Sequence, residues 1–176
     1  TLSLCPIALN EWLLENTFLD KDGRCLMREN NRVVRACLPM HTFGHPAKLD
    51  ELLIVCKKWN LELVEDAAES LGSFYKGNHT GTFGKIGTLS FNGNKIITTG
   101  GGGMLLIPEN ISEKAKHITT TAKTDPLDYF HDEVGYNYRL VNVLAAIGVA
   151  QMENFSNILK RKKQIDHIYR EELSTI

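Results

Sequence analysis

Lys95 stands in a short polar loop, Asn92-Gly93-Asn94, between two apolar runs at 86–91 and 103–107. Twenty-nine residues upstream, Asp66 closes another apolar run, LELVED. Burial and neighbouring positive charge lower a lysine's pKa and leave a nucleophilic amine. An aspartate at a strand mouth can hold a cation, or it can simply cap the turn that starts at Ala67. Together the two residues suit a cofactor that forms an imine at one end and carries a ring cation at the other. Pyridoxal 5′-phosphate has that chemistry, because its protonated ring accepts the electron pair released when a substrate Cα–H bond breaks. A solvent-exposed lysine and a structural N-cap are the competing reading, and the two residues alone leave it open. Ser90, five residues before Lys95, reads either as an inert strand residue or as a hydroxyl donor to a phosphate.

Other groupings point to less. The glycines at 100–103 fit no nucleotide fingerprint, since Leu105 breaks G-x-G-x-x-G. Gly84-Lys85 lacks the glycine at 79 and the following Ser/Thr of a P-loop. The glycine run suits a sharp turn or a close backbone approach. His41 and His45 have the spacing of a helical zinc pair, but Gly44 and Pro46 disfavour a helix there, so no metal is expected. Glu65 and Asp66 are neighbours on a strand and point to opposite faces, so they cannot act jointly on one bond.

Composition narrows the class. The 176 residues suffice for one domain with a sizeable core. With 43% hydrophobic and 23% charged residues, the composition is that of an ordinary globular protein. A net charge of -1 gives no electrostatic case for nucleic acid or an anionic membrane. No apolar run approaches the roughly 18 residues of a spanning helix, and TLSLCPIAL lacks a basic leader segment. Cys5, Cys25, Cys37 and Cys56 contain no CxxC and read as reduced core or near-core residues of a cytoplasmic protein.

The elements that must position these residues alternate. Residues 6–16 read as a helix opened by Pro6, with Leu9, Trp12 and Leu13 on one face. Asp22-Gly23 is a turn. Residues 32–40 read as a buried strand, 47–59 as an amphipathic helix ended by Asn60, and 61–65 as a second strand. That order predicts a βαβ unit in a largely parallel sheet, where ligands gather beyond the carboxyl ends of the strands. Ala67 to Gly72 reads as a short helical turn, and Tyr75 to Asn78 as a hairpin turn. Strands are expected at 86–92 and 103–107, and a helix at 110–123 capped by Asn110. Residues 124–138 form a long aromatic-bearing loop, of a length often functional. Two helices follow, the Ala/Gly-rich 142–152 and the amphipathic 154–173.

VEDAAES (64–70), SFNGNK (90–95), GGGGM (100–104) and GYNYRL (135–140) occur in that order. In order and spacing they resemble the DegT/StrS-type sugar aminotransferases, across about Cys37 to Met152. The resemblance implies an α/β fold, the large domain of the fold-type I pyridoxal-phosphate enzymes: a mostly parallel sheet flanked by helices, here incomplete. It implies that Lys95 holds the cofactor as a Schiff base and then shuttles protons. Asp66 would pair with the pyridine nitrogen, Ala68 would pack against the ring, and Ser90 would bind the phosphate. Glu69 would face the ring hydroxyl, where the family more often has Gln or His; an ionised Glu beside a phenolate is unfavourable unless one of them holds a proton. Asn137 would bind the phosphate of the other subunit's cofactor, so a homodimer with a shared site is implied, to which helix 142–152 contributes. Arg139 reads as structural. LPMHTFGHP together with VEDAAESLGS is similar to the subgroup acting on 4-keto nucleotide sugars that lead to legionaminic-type acids.

The implied partners are a nucleotide sugar bearing a keto group and an amino-acid donor, glutamate being expected. Relatives are longer, so residues 1–153 are expected to be part of the large domain, and 154–176 a helix leading toward a small C-terminal domain not included here. Two alternatives accompany this reading. One is a sugar dehydratase of the same family, in which a histidine replaces the Schiff-base lysine; Lys95 opposes it. The other is a catalytically incompetent fragment or interaction module of the same fold, which the intact Lys95, Asp66, Ser90 and Asn137 oppose.

Overall fold

The computed structural model describes residues 2–125 and 127–174. The chain divides into two compact units, Thr1–Leu89 with Met104–Arg139, and Ser90–Gly103 with Leu140–Ile176.

In the first unit, α1 (Pro6–Asn16) leads into the antiparallel pair β1 (Thr17–Leu19) and β2 (Cys25–Met27). Then come β3 (Ala36–Cys37), α2 (Leu49–Trp59) and β4 (Glu62–Asp66), the hairpin β5 (Phe74–Tyr75) and β6 (Asn78–His79), then β7 (Ile86–Ser90), β8 (Gly103–Leu106) and α3 (Glu109–Thr119). A four-stranded sheet runs β3-β4-β7-β8, with β3, β4 and β7 mutually parallel. The expected βαβ unit is therefore present as β3–α2–β4.

Helix α2 shows why this part folds. Leu49, Leu52, Val55, Cys56 and Trp59 are buried on one face. Asp50 and Glu51 lie in its first turn and Lys57 and Lys58 in its last, each matching the helix dipole. Asn60 ends it in the left-handed conformation at φ +53°, its N–H donating to the Cys56 carbonyl. The buried α2 side chains join Leu13, Cys25, Cys37, Ala47, Leu61 and Leu63 in one core. Cys37 and Cys56 meet in that core; the hydrogen bond to Cys56, then burial, pushes the Cys37 thiol far up, which keeps it protonated and unreactive.

Several expectations shift. The strand expected over 32–40 is pared to Ala36–Cys37, with single bridges at Val33 and Met40. Pro39 cannot donate to a ladder, and β3 is an edge strand where a proline is tolerated. Residues 67–72 form consecutive tight turns, closed by Ser70 N–H to Ala67 O and Ser73 N–H to Ser70 O, in place of a helical turn. Helix α3 starts at Glu109 behind Pro108, so Asn110 is inside it and is not its cap. It ends at Thr119 because Thr121 and Ala122 take positive φ. On the face of α1 shared by Leu9, Trp12 and Leu13, Leu13 is buried while Trp12 is 45% exposed.

The loop after β6 runs tightly under the sheet. A Cβ at Gly87 would sit 2.0 Å from the Gly81 carbonyl oxygen, and one at Gly84 2.4 Å from that of Leu63. Both contacts are to backbone, which cannot swing aside.

The second unit contains the loop 90–103, α4 (Asn142–Glu153) and α5 (Phe155–Glu172). Gln151 Oε1 accepts the Thr98 N–H at 2.9 Å. Gly148 leaves room for Thr99, whose Cγ2 lies 3.1 Å from where a Cβ would be. Small residues in α4 thus admit the loop that carries Lys95. Gly102, at φ +96°, passes 2.7 Å from Leu140 by the same measure, so the glycine run supplies both a turn and a close approach.

Gly87→Ala is expected to destabilise the protein by about 2 kcal/mol or more through overpacking against Gly81. Thermal melting of the full chain checks this, with Gly77→Ala, where no atom lies within 4 Å, showing only the smaller penalty of its φ of +89°.

Candidate functional site

The carboxyl end of β4 is the best-defined polar centre of the first unit. The strand alternation that turns Asp66 toward solvent turns Glu65 inward, and Glu65 is fully buried. Four donors converge on its carboxylate. Gly81 N–H reaches Oε1 at 2.7 Å, and Phe83 and Gly84 N–H reach Oε2 at 2.7 Å each. His41, also fully buried, contacts Oε1 through Nε2 at 3.1 Å. The other ring nitrogen, Nδ1, accepts the Ala47 N–H at 3.1 Å. An amide can only donate, so Nδ1 is bare and the proton sits on Nε2. His41 is thus a neutral donor to Glu65. Burial pushes the Glu65 carboxyl up, but His41 and the N–H groups of Gly84, Gly81 and Phe83 outweigh it and hold the group below its ordinary 4.5.

Asp66 is held by its backbone. Its N–H donates to Pro39 O and its carbonyl accepts the His41 N–H, both at 3.0 Å. It pairs with Thr88 of β7, and the next N–H, of Ala67, donates to Thr88 O. Its side chain is half-buried. Oδ1 accepts the Ala68 N–H at 3.1 Å, so the N-cap-like interaction is real. Among the described residues Oδ2 accepts no hydrogen bond, which leaves half of the carboxylate for a ligand.

Ala68 is half-buried in the turn that follows. Glu69 is exposed, and its Oε2 accepts the Phe43 N–H at 2.7 Å. Phe43 adopts φ +54° in the Thr42–Gly44 3₁₀ turn, so Glu69 props a left-handed residue. A Cβ on Gly44 would lie 2.9 Å from the Glu69 carbonyl oxygen. The LPMHTFGHP and VEDAAES segments therefore pack directly against each other.

Asn137 is exposed in the first unit, bridged by its backbone to Thr120. Tyr136 and Tyr138 beside it stack at 5.1 Å, and Arg139 Nη2 donates to Thr120 O at 3.1 Å, tying down the end of the loop. In the second unit, Ser90 is half-buried at the end of β7 and its Oγ accepts the Asn92 N–H at 3.3 Å. Lys95 is half-buried, in a turn closed by its own N–H to Asn92 O at 3.0 Å. The structure thus brings Asp66, Ala68 and Glu69 together on one turn. Ser90 and Lys95 stand on the second unit's loop and Asn137 on the aromatic segment.

Sequence reasoning missed the pairing of His41 with Glu65. The signal was the polar pair at the end of an apolar strand: one of two adjacent acids must face inward, and a buried carboxylate demands donors. His41 and His45 form no metal pair. Both nitrogens of His41 are engaged, and His45 is exposed.

The model of the DegT/DnrJ/EryC1/StrS aminotransferase family matches residues 26–176. The chain belongs to this family. EpsN of Bacillus subtilis is 42% identical over 147 residues, which is 83% of this chain and 38% of EpsN. GDP-perosamine synthase of Escherichia coli O157:H7 is 40% identical over 143 residues, 81% of this chain and 39% of the synthase. The crystal structure of a family aminotransferase from Brucella abortus superposes with a TM-score of 0.83 at 20% identity, over 98% of this chain and 44% of that one, a likeness of fold. The chain spans about two fifths of the length of the curated relatives it matches. EpsN is described as a pyridoxal phosphate-dependent aminotransferase, which makes pyridoxal 5′-phosphate the cofactor to test against these residues. The residues present fit that group on an observation of this structure: an acid fixed by its backbone, with Oδ2 unengaged, at the carboxyl end of a parallel strand.

The Glu65 carboxylate is stabilised in the fold relative to the unfolded chain, so its contribution is fully present above about pH 4.5 and is lost as pH falls through its lower folded value. Glu65→Gln is therefore expected to lower stability at neutral pH by about 3 kcal/mol and to flatten the acid limb of the stability curve. Circular-dichroism unfolding across about pH 2 to 7 checks both.

Proposed function

We propose that this chain supplies part of the active site of a pyridoxal-phosphate-dependent aminotransferase that moves an amino group from an amino-acid donor, glutamate by expectation, to the keto carbon of a nucleotide-linked sugar. One observation carries the reading. Asp66, within the span 26–176 that matches the family, sits at a strand's carboxyl end with Oδ2 unengaged, and Lys95, Ser90 and Asn137 lie in the same span. GDP-perosamine synthase among the relatives supports a nucleotide-linked sugar.

The cofactor, when bound, supplies an aldehyde carbon that captures amines and a ring that takes up the electron pair of a broken Cα–H bond. The chain's residues do the rest. Lys95 Nζ would hold the cofactor through its aldehyde carbon and would carry the proton there. Asp66 Oδ2 would keep the ring nitrogen protonated. Ser90 Oγ would donate to the phosphate, and Ala68 would pack against the ring. Glu69 would face the ring hydroxyl, where it would share a proton or keep to its Phe43 contact. Asn137 serves the phosphate at the site of a second copy, so the working unit is a homodimer, in the cytoplasm. Residues 1–153 form part of the large cofactor-binding domain. Lys95 opposes the dehydratase alternative, which has histidine there.

Borohydride reduction after incubation with pyridoxal phosphate, followed by peptide mass spectrometry, checks the assignment. One pyridoxyl group on Lys95, abolished in Lys95→Ala, is expected. Labels scattered over surface lysines such as Lys57, Lys58 and Lys162 would contradict it.

A further inference from the structure

The segments on both sides of Asp66 hang from one buried carboxylate. On one side, Glu65 takes the His41 Nε2–H, and the backbone of His41 in turn donates to the Asp66 carbonyl. The imidazole is pinned from behind by the Ala47 N–H, so the stretch from Pro39 to Ala47 is fastened at both ring nitrogens. On the other side, Glu65 takes the N–H groups of Gly81, Phe83 and Gly84. Gly81 lies against Ala67, 3.2 Å from its Cβ by the position a Cβ would take. Neither His41 nor Glu65 is exposed, so neither touches a ligand. Four donors with no acceptor among them also specify a carboxylate, because an amide would turn its own N–H₂ against at least one N–H.

We infer that Glu65 and His41 are positioning residues: the buried pair fixes the backbone on both sides of Asp66 and thereby sets where its carboxylate meets the cofactor's ring nitrogen. This rests on the functional reading above, in which Asp66 faces that nitrogen. Loss of the His41 donor leaves Glu65 in place but releases Pro39–Ala47, and with it the hydrogen bonds at both ends of the Asp66 peptide unit.

The test uses the full chain with pyridoxal 5′-phosphate as the probe and compares His41→Leu, His41→Gln, Asp66→Asn and Glu62→Gln. Glu62 is an exposed residue of the same strand, paired with Lys85. Two quantities are read: the cofactor's dissociation constant, and the pH midpoint of the bound cofactor's absorption change. His41→Leu and Asp66→Asn are expected to move the midpoint in the same direction and to weaken the cofactor about tenfold. His41→Gln, whose amide still donates toward Glu65, restores most of both, and Glu62→Gln changes neither. Where His41→Leu fails to fold, His41→Phe fills the space without a donor and takes its place. A His41 variant that melts earlier yet keeps the wild-type midpoint and affinity, while Asp66→Asn shifts both, overturns this inference alone. An unmoved midpoint in Asp66→Asn overturns the functional reading and this inference with it.

Discussion

A carboxylate that has left water must be met by donors, and the Glu65 side chain is met by four. Much of the first unit follows from that requirement. The 79–84 segment turns under the sheet so that the N–H groups of Gly81, Phe83 and Gly84 reach one acid. Gly81, Gly84 and Gly87 lack side chains where that segment runs against β4 and β7. The 41–47 segment closes over the core so that one imidazole can bridge Ala47 and Glu65. Asp66, the next residue along, inherits a backbone clamped by Pro39, His41 and Thr88. A group asked to hold a charge at a fixed place gains from such support, because reorganisation is completed during folding.

The outer residues of the same turn work differently. Glu69 is exposed and spends one oxygen on the left-handed Phe43. Asp50, on α2, accepts from both Lys76 Nζ and Tyr75 Oη, and these, Lys76 first, hold its carboxyl down at about 2. Those contacts fasten the β5–β6 hairpin to α2, and they are open to solvent. The buried pair therefore sets the geometry near Asp66, while the exposed pairs tidy the rim and contribute less per contact.

Much of this was legible in the sequence. Periodicity located α1, α2, β4, β7 and the last two helices to within a residue or two, and Tyr75 to Asn78 announced the hairpin. Asn60 was readable as the end of α2 because few other residues accept a left-handed φ. The edge strand over 32–40 was overdrawn, since propensity ignores that Pro39 removes a ladder donor. The turns after Asp66 resembled a helix because Ala-Ala-Glu-Ser has good helical propensity, which tight packing against Gly81 and Thr80 overrides. The site motifs were readable as an ordered set and led to the family. Within them Asp66 stands out for its chemistry, whereas Glu65 shows only as its neighbour on the other face of the strand. What one sequence could not disclose was the distant partner, because His41 lies 24 residues from Glu65 and no local pattern joins them.

Central to the account is the protonation of that imidazole, and nitrogen NMR of the ¹⁵N-histidine-labelled chain at neutral pH reads it directly. The geometry predicts a neutral His41 ring with the proton on Nε2 and a bare Nδ1. A proton on Nδ1, or on both nitrogens, would mean that Ala47 does not donate to the ring and that the Glu65 cluster is built otherwise.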